Sequence, residues 1–472
     1  MNGLDTVSKL ADKLAKHSAK KFQDENIPDI PVGSPVKIVG KKFAAGFASR
    51  NITPADLLTK TYRMAGYNIA KSITGYLDPL TINAMWLGTD AERGIMLVSC
   101  DLIGLTGYDL ALVREELTDF CKITGCENIT VSCTHTHAGI DTMGYWGVLP
   151  KTGKDKVFQN TVLHTIADLC KEAYMHRKPG RLFYGKAHAP ELVHRWREPY
   201  FSNDLLHRFR FVPDDGTTET WLLNFGAHPN TMGGRNRMLS ADYPCYMRRE
   251  INKAKETNIL FSVSAIGATD IGNVAKNNYK RAILGGEALG RKALGITDEK
   301  ELSPNITVLS QDFVMPIDNK VLAVANYARI FNTRKCKADS ALGIGFISNI
   351  TYFNIGGVQI LTMPGEMFPE LVYPGGYCNA ETSSTGESAD VNPAPLSEIM
   401  EDEELIIFGV TNDMAGYALA PNDFILHKTQ PFLSRGTDRF GRNHYHETNS
   451  CGIKTGQTIA DTVLRIKQTL SE

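Results

Sequence analysis

The chain has 472 residues, 42% hydrophobic and 22% charged, with a formal net charge of −1. This is an ordinary globular composition with material for a large core, and the balanced charge gives no bulk attraction to nucleic acid or an anionic membrane. The nine cysteines fall singly, without paired ligand spacing, which argues against a disulfide scaffold and against a four-cysteine zinc site.

Residues 1–25 lack an apolar h-region and carry Asp5 and Asp12 among their lysines, so neither a secretory signal nor a transit peptide is expected. No run approaches the roughly 20 apolar residues of a spanning helix. The expected location is cytoplasmic, with no stable membrane association. Leu4, Val7, Leu10, Ala11 and Leu14 recur at helical spacing, predicting an amphipathic helix packed on the domain or on a second subunit of a homo-oligomer. Pro28, Pro31 and Pro35 predict an extended arm from Asp24 to Lys37. Residues 1–40 are thus read as helix and arm. With no linker or charge block beyond them, residues 41–472 are expected to form a single domain.

Ile95 to Cys100 reads as a buried strand, and Asp101 after it as a helix N-cap or a partner to a histidine. Leu110, Val113, Leu117 and Phe120 mark a helix, as do Val162, Leu163, Ile166, Leu169 and Ala173. Leu182 to Tyr184 is a strand. His207, Phe209 and Phe211 alternate with Arg208 and Arg210, predicting a strand with one buried and one polar face. Gly233 to Arg237 reads as a mobile basic loop, Ser240 to Pro244 as a helix start, Ile259 to Val263 as a strand and Gly267 to Gly272 as a turn. Val321 to Phe331 and Ile459 to Ile466 are expected to be helical. Strands and helices interleave, so the class is α/β, a mixed β-sheet core with flanking helices.

Four stretches share one pattern, a buried strand, a tight turn and a polar side chain. Ile129 to Cys133 runs into His135 and His137 before Gly139; Trp221 to Phe225 delivers His228 before Pro229; Val358 to Met363 ends in Pro364-Gly365-Glu366; Leu405 to Val410 leads through Thr411-Asn412-Asp413 to Gly416-Tyr417. Side chains two apart on a strand share a face. The imidazoles of a His-x-His can therefore grip one metal ion, or divide the work between a ligand and a proton carrier. Two histidines, a carboxylate and one further oxygen suit a tetrahedral zinc shell.

Together Thr134-His135-Thr136-His137-Ala138-Gly139, Asn224-Phe225-Gly226-Ala227-His228-Pro229, Met363-Pro364-Gly365-Glu366 and Thr411-Asn412-Asp413-Met414-Ala415-Gly416-Tyr417 resemble the catalytic domain of the neutral/alkaline ceramidases, from about Ala45 to Leu464. The resemblance implies that His135, His228, Glu366 and Tyr417 surround one zinc ion. It implies an acid/base role for His137, a catalytic role for Arg195 and, through Tyr445 in Tyr445-His446-Glu447, a phenol near the substrate carbonyl. The family's serine position falls on Gly272 of Asp270-Ile271-Gly272-Asn273, and Pro431 to Asn443 reads as an insertion. The chain ends where the family continues into an immunoglobulin-like domain. The expectation is a ceramidase-type catalytic domain without that C-terminal domain, acting on something other than ceramide.

Zinc in such a shell lowers the pKa of coordinated water toward about 7, which makes a nucleophile available at neutral pH. His137 would then move the water proton to the leaving group, and Arg195 and Tyr445 would stabilise the oxyanion. The purely geometric alternative has both His135 and His137 as ligands, with Tyr417 outside the shell. Arg195, Arg197, Arg235, Arg237, Arg435, Arg439 and Arg442 suggest a small polar, anionic amide or ester as substrate, while Tyr145 and Trp146 could form an apolar or sugar-stacking wall. A zinc lyase or isomerase acting on a sugar-like metabolite, and a non-catalytic zinc-binding homologue, are the alternative readings.

Overall fold

The computed structural model describes residues 3–472 except 23, 91, 149, 150 and 331. Two mixed sheets lie face to face with helices on both outer sides. The larger has nine strands, in the order Thr257–Val263, Glu219–Phe225, Leu205–Pro213, Lys178–His188, Phe43–Asn51, Thr81–Thr89, Gly94–Cys100 and Cys126–Cys133, with Glu299–Glu301 added beside Lys178–His188. Only its outermost pairs are parallel. The smaller sheet is built from Val36–Val39, Asn305–Pro316, Ile344–Ile355, Val358–Thr362 and Ile406–Phe408, with Lys335–Lys337 at the side.

The alternation of strand side chains explains why these segments read as unbroken apolar runs. Met85, Leu87, Ile95 and Leu97 of the large sheet meet Phe353, Ile355, Ile360 and Phe408 of the small one between the layers. Their neighbours Trp86, Met96 and Val98 turn the other way, onto Val162 and Ile166 of the helix Lys156–Met175. Ile350, Leu361 and Ile407 pack against Ile459 and Val463 of the closing helix Thr455–Ser471.

Several expectations change in the structure. The predicted helix around 110–120 is two helices, Gly107–Glu116 and Thr118–Thr124, capped by Thr106 rather than by Asp101. Asp101 instead bonds Arg248 at 2.8 Å and touches no histidine. The polar face predicted for the strand Leu205–Pro213 is present but largely covered: Arg208 is buried over the Trp221 ring and paired with Glu299, and Arg210 is only partly exposed. The N-terminal helix Gly3–Ala19 buries Ser8, Ala11, Ala15 and Ser18 while Leu10 stays exposed. Small residues let it approach the helix Lys320–Tyr327, where Lys320 reaches Ser8 Oγ and Asp12 Oδ1. The helix predicted from Val321 to Phe331 ends at Tyr327, with Ala328 as its C-cap; Phe331 itself and the side chains of Leu4 and Val7 lie outside the described residues. All cysteines are free thiols, and among the described residues no helix is long and apolar enough to cross a membrane.

The strands preceding His135 and His228 lie at opposite ends of the large sheet, next to or at its edges. Twist curls the sheet until those edges approach, and the Ser99 hydroxyl donates to the Phe261 carbonyl across the gap. The segment that follows Ile406–Phe408 of the small sheet fills the rest of the seam. Gly409 N bonds Val263 O on one side, while Cys133 N bonds Val410 O and Asn412 N bonds Val131 O on the other. Val410 and Asn412 adopt φ of 47° and 64° to do so, conformations that non-glycine residues hold only where surrounding contacts compel them.

Candidate metal and catalytic site

The Cys126–Cys133 strand ends before the histidine pair. His135 takes the left-handed region, φ 63°, with its amide on Leu102 O. The two imidazoles therefore converge through a strained turn and not through strand alternation. His135 Nδ1 donates to the Ile103 carbonyl at 2.6 Å, and His228 Nδ1 to the Thr269 carbonyl at 3.1 Å. Both rings are thereby fixed with Nε2 facing inward. The His137 amide bonds Pro229 O, which ties the first histidine segment to the second.

Glu366 enters from the small sheet through a parallel two-residue pairing of Glu366-Met367 with Tyr417-Ala418. Its Oε2 lies 2.6 Å from His228 Nε2 and 3.4 Å from His135 Nε2. Since Nδ1 of each ring carries the proton, each Nε2 presents a lone pair to the carboxylate oxygen. Such an arrangement needs a cation, a proton or a metal ion, to hold it together. Tetrahedral ligands about 2.0–2.2 Å from zinc sit roughly 3.3 Å apart, which the His135–Glu366 separation matches, while the His228–Glu366 separation is that of a direct hydrogen bond. Burial raises the carboxyl pKa, but the two imidazoles outweigh it and hold Glu366 well below the usual range. Burial likewise lowers His228, and its bond to Glu366 more than reverses this. The Tyr417 phenol adjoins Glu366 and Tyr445, and burial first, then the Glu366 charge, push its pKa well up.

His137 completes a buried group in which one nitrogen each of His135, His137 and His228 lie within 4.8 Å of one another. Neither of its own ring nitrogens has a hydrogen-bond partner among the described residues. Burial, then the neighbouring His135 and His228, hold its pKa well below that of an ordinary histidine. Gly66 packs on this ring: a Cβ there would come within 2.5 Å of His137 Cβ, and its φ of 106° also requires glycine. Tyr67 stands edge-on to the imidazole at 5.1 Å.

The structure gives Arg195 a different place from the one the resemblance implied. It is buried behind the cavity with Nη2 on Glu370 at 3.0 Å, Nη1 on Gly267 O and Nε on Arg197 O. It is not among the described residues that line the cavity, and these bonds brace the wall behind it. Arg197, Arg439 and Arg442 are likewise engaged with Asp423 and Glu447, with backbone carbonyls, and with Asp438 and Glu198. Arg235 and Arg237 are exposed. Gly272 does not face the cavity: its amide bonds Leu192 O, and a Cβ would stand 2.2 Å from Glu191 O.

A cavity of about 710 Å³ opens on His135, His137, His228, Glu366 and Tyr417, and Tyr445, Arg435, Tyr145 and Trp146 line it. No serine is among its described lining residues. Tyr445 stacks on Trp196 at 5.6 Å and on His446 at 4.0 Å. The rest of the wall is largely apolar, with Ile103, Ile317, Leu322, Phe346 and Met414. Asp413 lies at this end with Oδ1 accepting from the Gly107 and Met414 amides; burial lifts its pKa to about 6 despite these bonds.

No family model and no curated protein matches the chain. Two solved structures superpose on it. One is the neutral ceramidase from Pseudomonas aeruginosa, with TM-score 0.64 and 15% identity, covering 90% of this chain and 75% of that one. The other, a ceramidase complexed with C2, gives TM-score 0.65 at the same identity and coverage. The chain has the neutral-ceramidase fold. Within that fold, sequence reasoning found the histidines, Glu366 and Tyr417 because strand-end motifs flag them. It missed Gly66, Tyr67, Trp196 and Glu370, which belong to no motif and are identified only by what they touch.

Proposed function

We propose that this ceramidase-fold protein is a zinc-dependent hydrolase of amide bonds, with esters as a related substrate class. The observation that carries the reading is the pair of inward Nε2 lone pairs converging on one Glu366 oxygen. His135, His228 and Glu366 would hold the zinc, with the Tyr417 phenol as the fourth oxygen. Zinc there supplies a water acidic enough to attack a carbonyl near neutral pH. Metal-bound histidines nearly always have their second nitrogen anchored. His135 and His228 do and His137 does not, which favours His137 as the proton carrier.

Kept neutral by burial, His137 has a lone pair to accept the water proton as the C–O bond forms. It returns that proton to the amine nitrogen as the C–N bond breaks, leaving a carboxylic acid and an amine. Since Arg195 is engaged elsewhere, the oxyanion donor facing the cavity is the Tyr445 phenol, kept protonated by burial. One such donor is typically worth about 3 kcal/mol. The close grouping of all three histidines favours a second reading, in which His137 is itself a ligand.

The test is a screen of short amides and esters with zinc-loaded protein in heavy-oxygen water. Metal-dependent cleavage with solvent oxygen in the acid product supports hydrolysis. Conversion without solvent oxygen points to a lyase or isomerase. Carefully prepared protein that holds no metal and is not activated by zinc would reject the mechanism.

A further inference from the structure

Charge in the cavity is unevenly satisfied. Asp270 accepts from Asn230 Nδ2 at 2.8 Å, Asp413 is held by two amides and the Ser348 hydroxyl, and Glu366 faces two imidazoles. Arg435 is the exception. It lines the cavity from an exposed position, unlike the equally exposed Arg235 and Arg237, which do not line it, and among the described residues no carboxylate, carbonyl or hydroxyl accepts from its guanidinium. Its guanidinium carbon lies over the Tyr445 ring, 5.7 Å from the centroid. The other arginines of the 431–443 segment are tied down: Arg439 caps backbone carbonyls at 2.6 and 3.0 Å, and Arg442 binds Asp438 at 2.6 Å.

The support beneath Arg435 is rigid. Its backbone pairs with Leu426, and Gly436–Thr437 forms a short ladder with Asn443–His444. Tyr445 is clamped in a parallel stack with Trp196 and His446. A guanidinium over an aromatic face keeps its N–H edge free for a planar anion. From Arg435 the path to the metal-site carboxylate crosses two rings, Tyr445 and then Tyr417, whose centroids are 6.5 Å apart. Tyr417 pairs with Glu366 in turn, in the short parallel ladder. An anionic group on Arg435 therefore lies several bonds from a carbonyl at Glu366, not beside it.

We propose that Arg435 is a specificity residue that recognises a carboxylate on the substrate, so that the preferred amides carry an anionic group several bonds from the scissile carbonyl. This rests on the amide-hydrolase reading above. It turns the arginine-based expectation of an anionic substrate into a statement about one residue.

The test compares 6-acetamidohexanoate with its uncharged counterpart N-hexylacetamide, and with N-acetylglycine, in which the carboxylate adjoins the amide. Binding is measured by calorimetry and turnover by kcat/KM, for wild type, Arg435→Gln and Arg435→Lys. In wild type, 6-acetamidohexanoate should bind at least tenfold more tightly than either comparator. That preference should collapse to about onefold in Arg435→Gln through dissociation constant and KM, with kcat little involved, and return in part in Arg435→Lys. Equal binding of charged and neutral compounds by wild type, or a preference that survives Arg435→Gln, overturns the proposal. A binding preference lost in Arg435→Gln but without turnover of any compound upholds the subsite and sinks the hydrolase reading instead.

Discussion

His228 Nε2 lies 2.6 Å from Glu366 Oε2 across 138 residues of chain, with His228 Nδ1 already committed to the Thr269 carbonyl. A lone pair facing a carboxylate is stable only with a cation between the two or shared by them. Purified protein should therefore carry about one zinc per chain by elemental analysis, and His228→Ala and Glu366→Ala should each lose it. Full occupancy in either variant would remove that residue from the shell.

His137 separates the two metal readings. With both ring nitrogens unpartnered, His137→Ala should retain zinc while turnover falls about 10²- to 10⁴-fold, the usual contribution of a positioned acid/base. Zinc loss in His137→Ala with full occupancy in Tyr417→Phe would make it a ligand and move Tyr417 outside the shell.

Arg195 and Glu370 are both buried and bonded at 3.0 Å. Arg195→Met leaves Glu370 as an unpaired buried charge and should cost about 3–5 kcal/mol in urea denaturation. The double variant with Glu370→Met should regain much of that loss, because an apolar pair leaves no charge to solvate. If Arg195→Met abolished turnover without changing the denaturation midpoint, Arg195 would be returned to the chemistry.

Gly272→Ser places a Cβ against Glu191 O, where 2.2 Å is available. The variant should be destabilised by about 1–3 kcal/mol, the usual cost of overpacking. No acyl-enzyme should be detected by mass spectrometry during turnover, since position 272 does not face the cavity. A trapped acyl-serine would show that position 272 does reach the cavity.

Asp413 titrates in the folded protein near pH 6, raised by burial from an ordinary value of 3.8. Between those two values the native state holds a proton that the unfolded chain has released, so stability falls as pH rises from about 4 to 6 and is then level. The shift corresponds to about 3 kcal/mol. Asn can keep the bonds to Gly107, Met414 and Ser348, so Asp413→Asn should gain on wild type by about that amount over this window. Denaturation midpoints of the two proteins at pH 4 and pH 7 provide the measurement; a constant difference would refute it.

The sequence by itself marked those strands that read as unbroken apolar runs, and with them His135, His137, His228, Glu366 and Tyr417, because each follows such a run at a turn; it gave no sign of the strands Phe43–Asn51, Thr81–Thr89, Asn305–Pro316 and Ile344–Ile355 or of the helix Asn278–Leu294. It placed Arg208 on a polar face but could not show that this face is covered and matched inside by Glu299. It could not distinguish a catalytic Arg195 from a bracing one, since the difference lies in Glu370 and Gly267, neither adjacent in sequence. Only the tertiary structure decided how the two histidine strands meet. That depends on the curl of the large sheet and on Gly409 to Asn412 sealing its edges, and the cooperative twist of many strands leaves no local trace in the residues that it brings together.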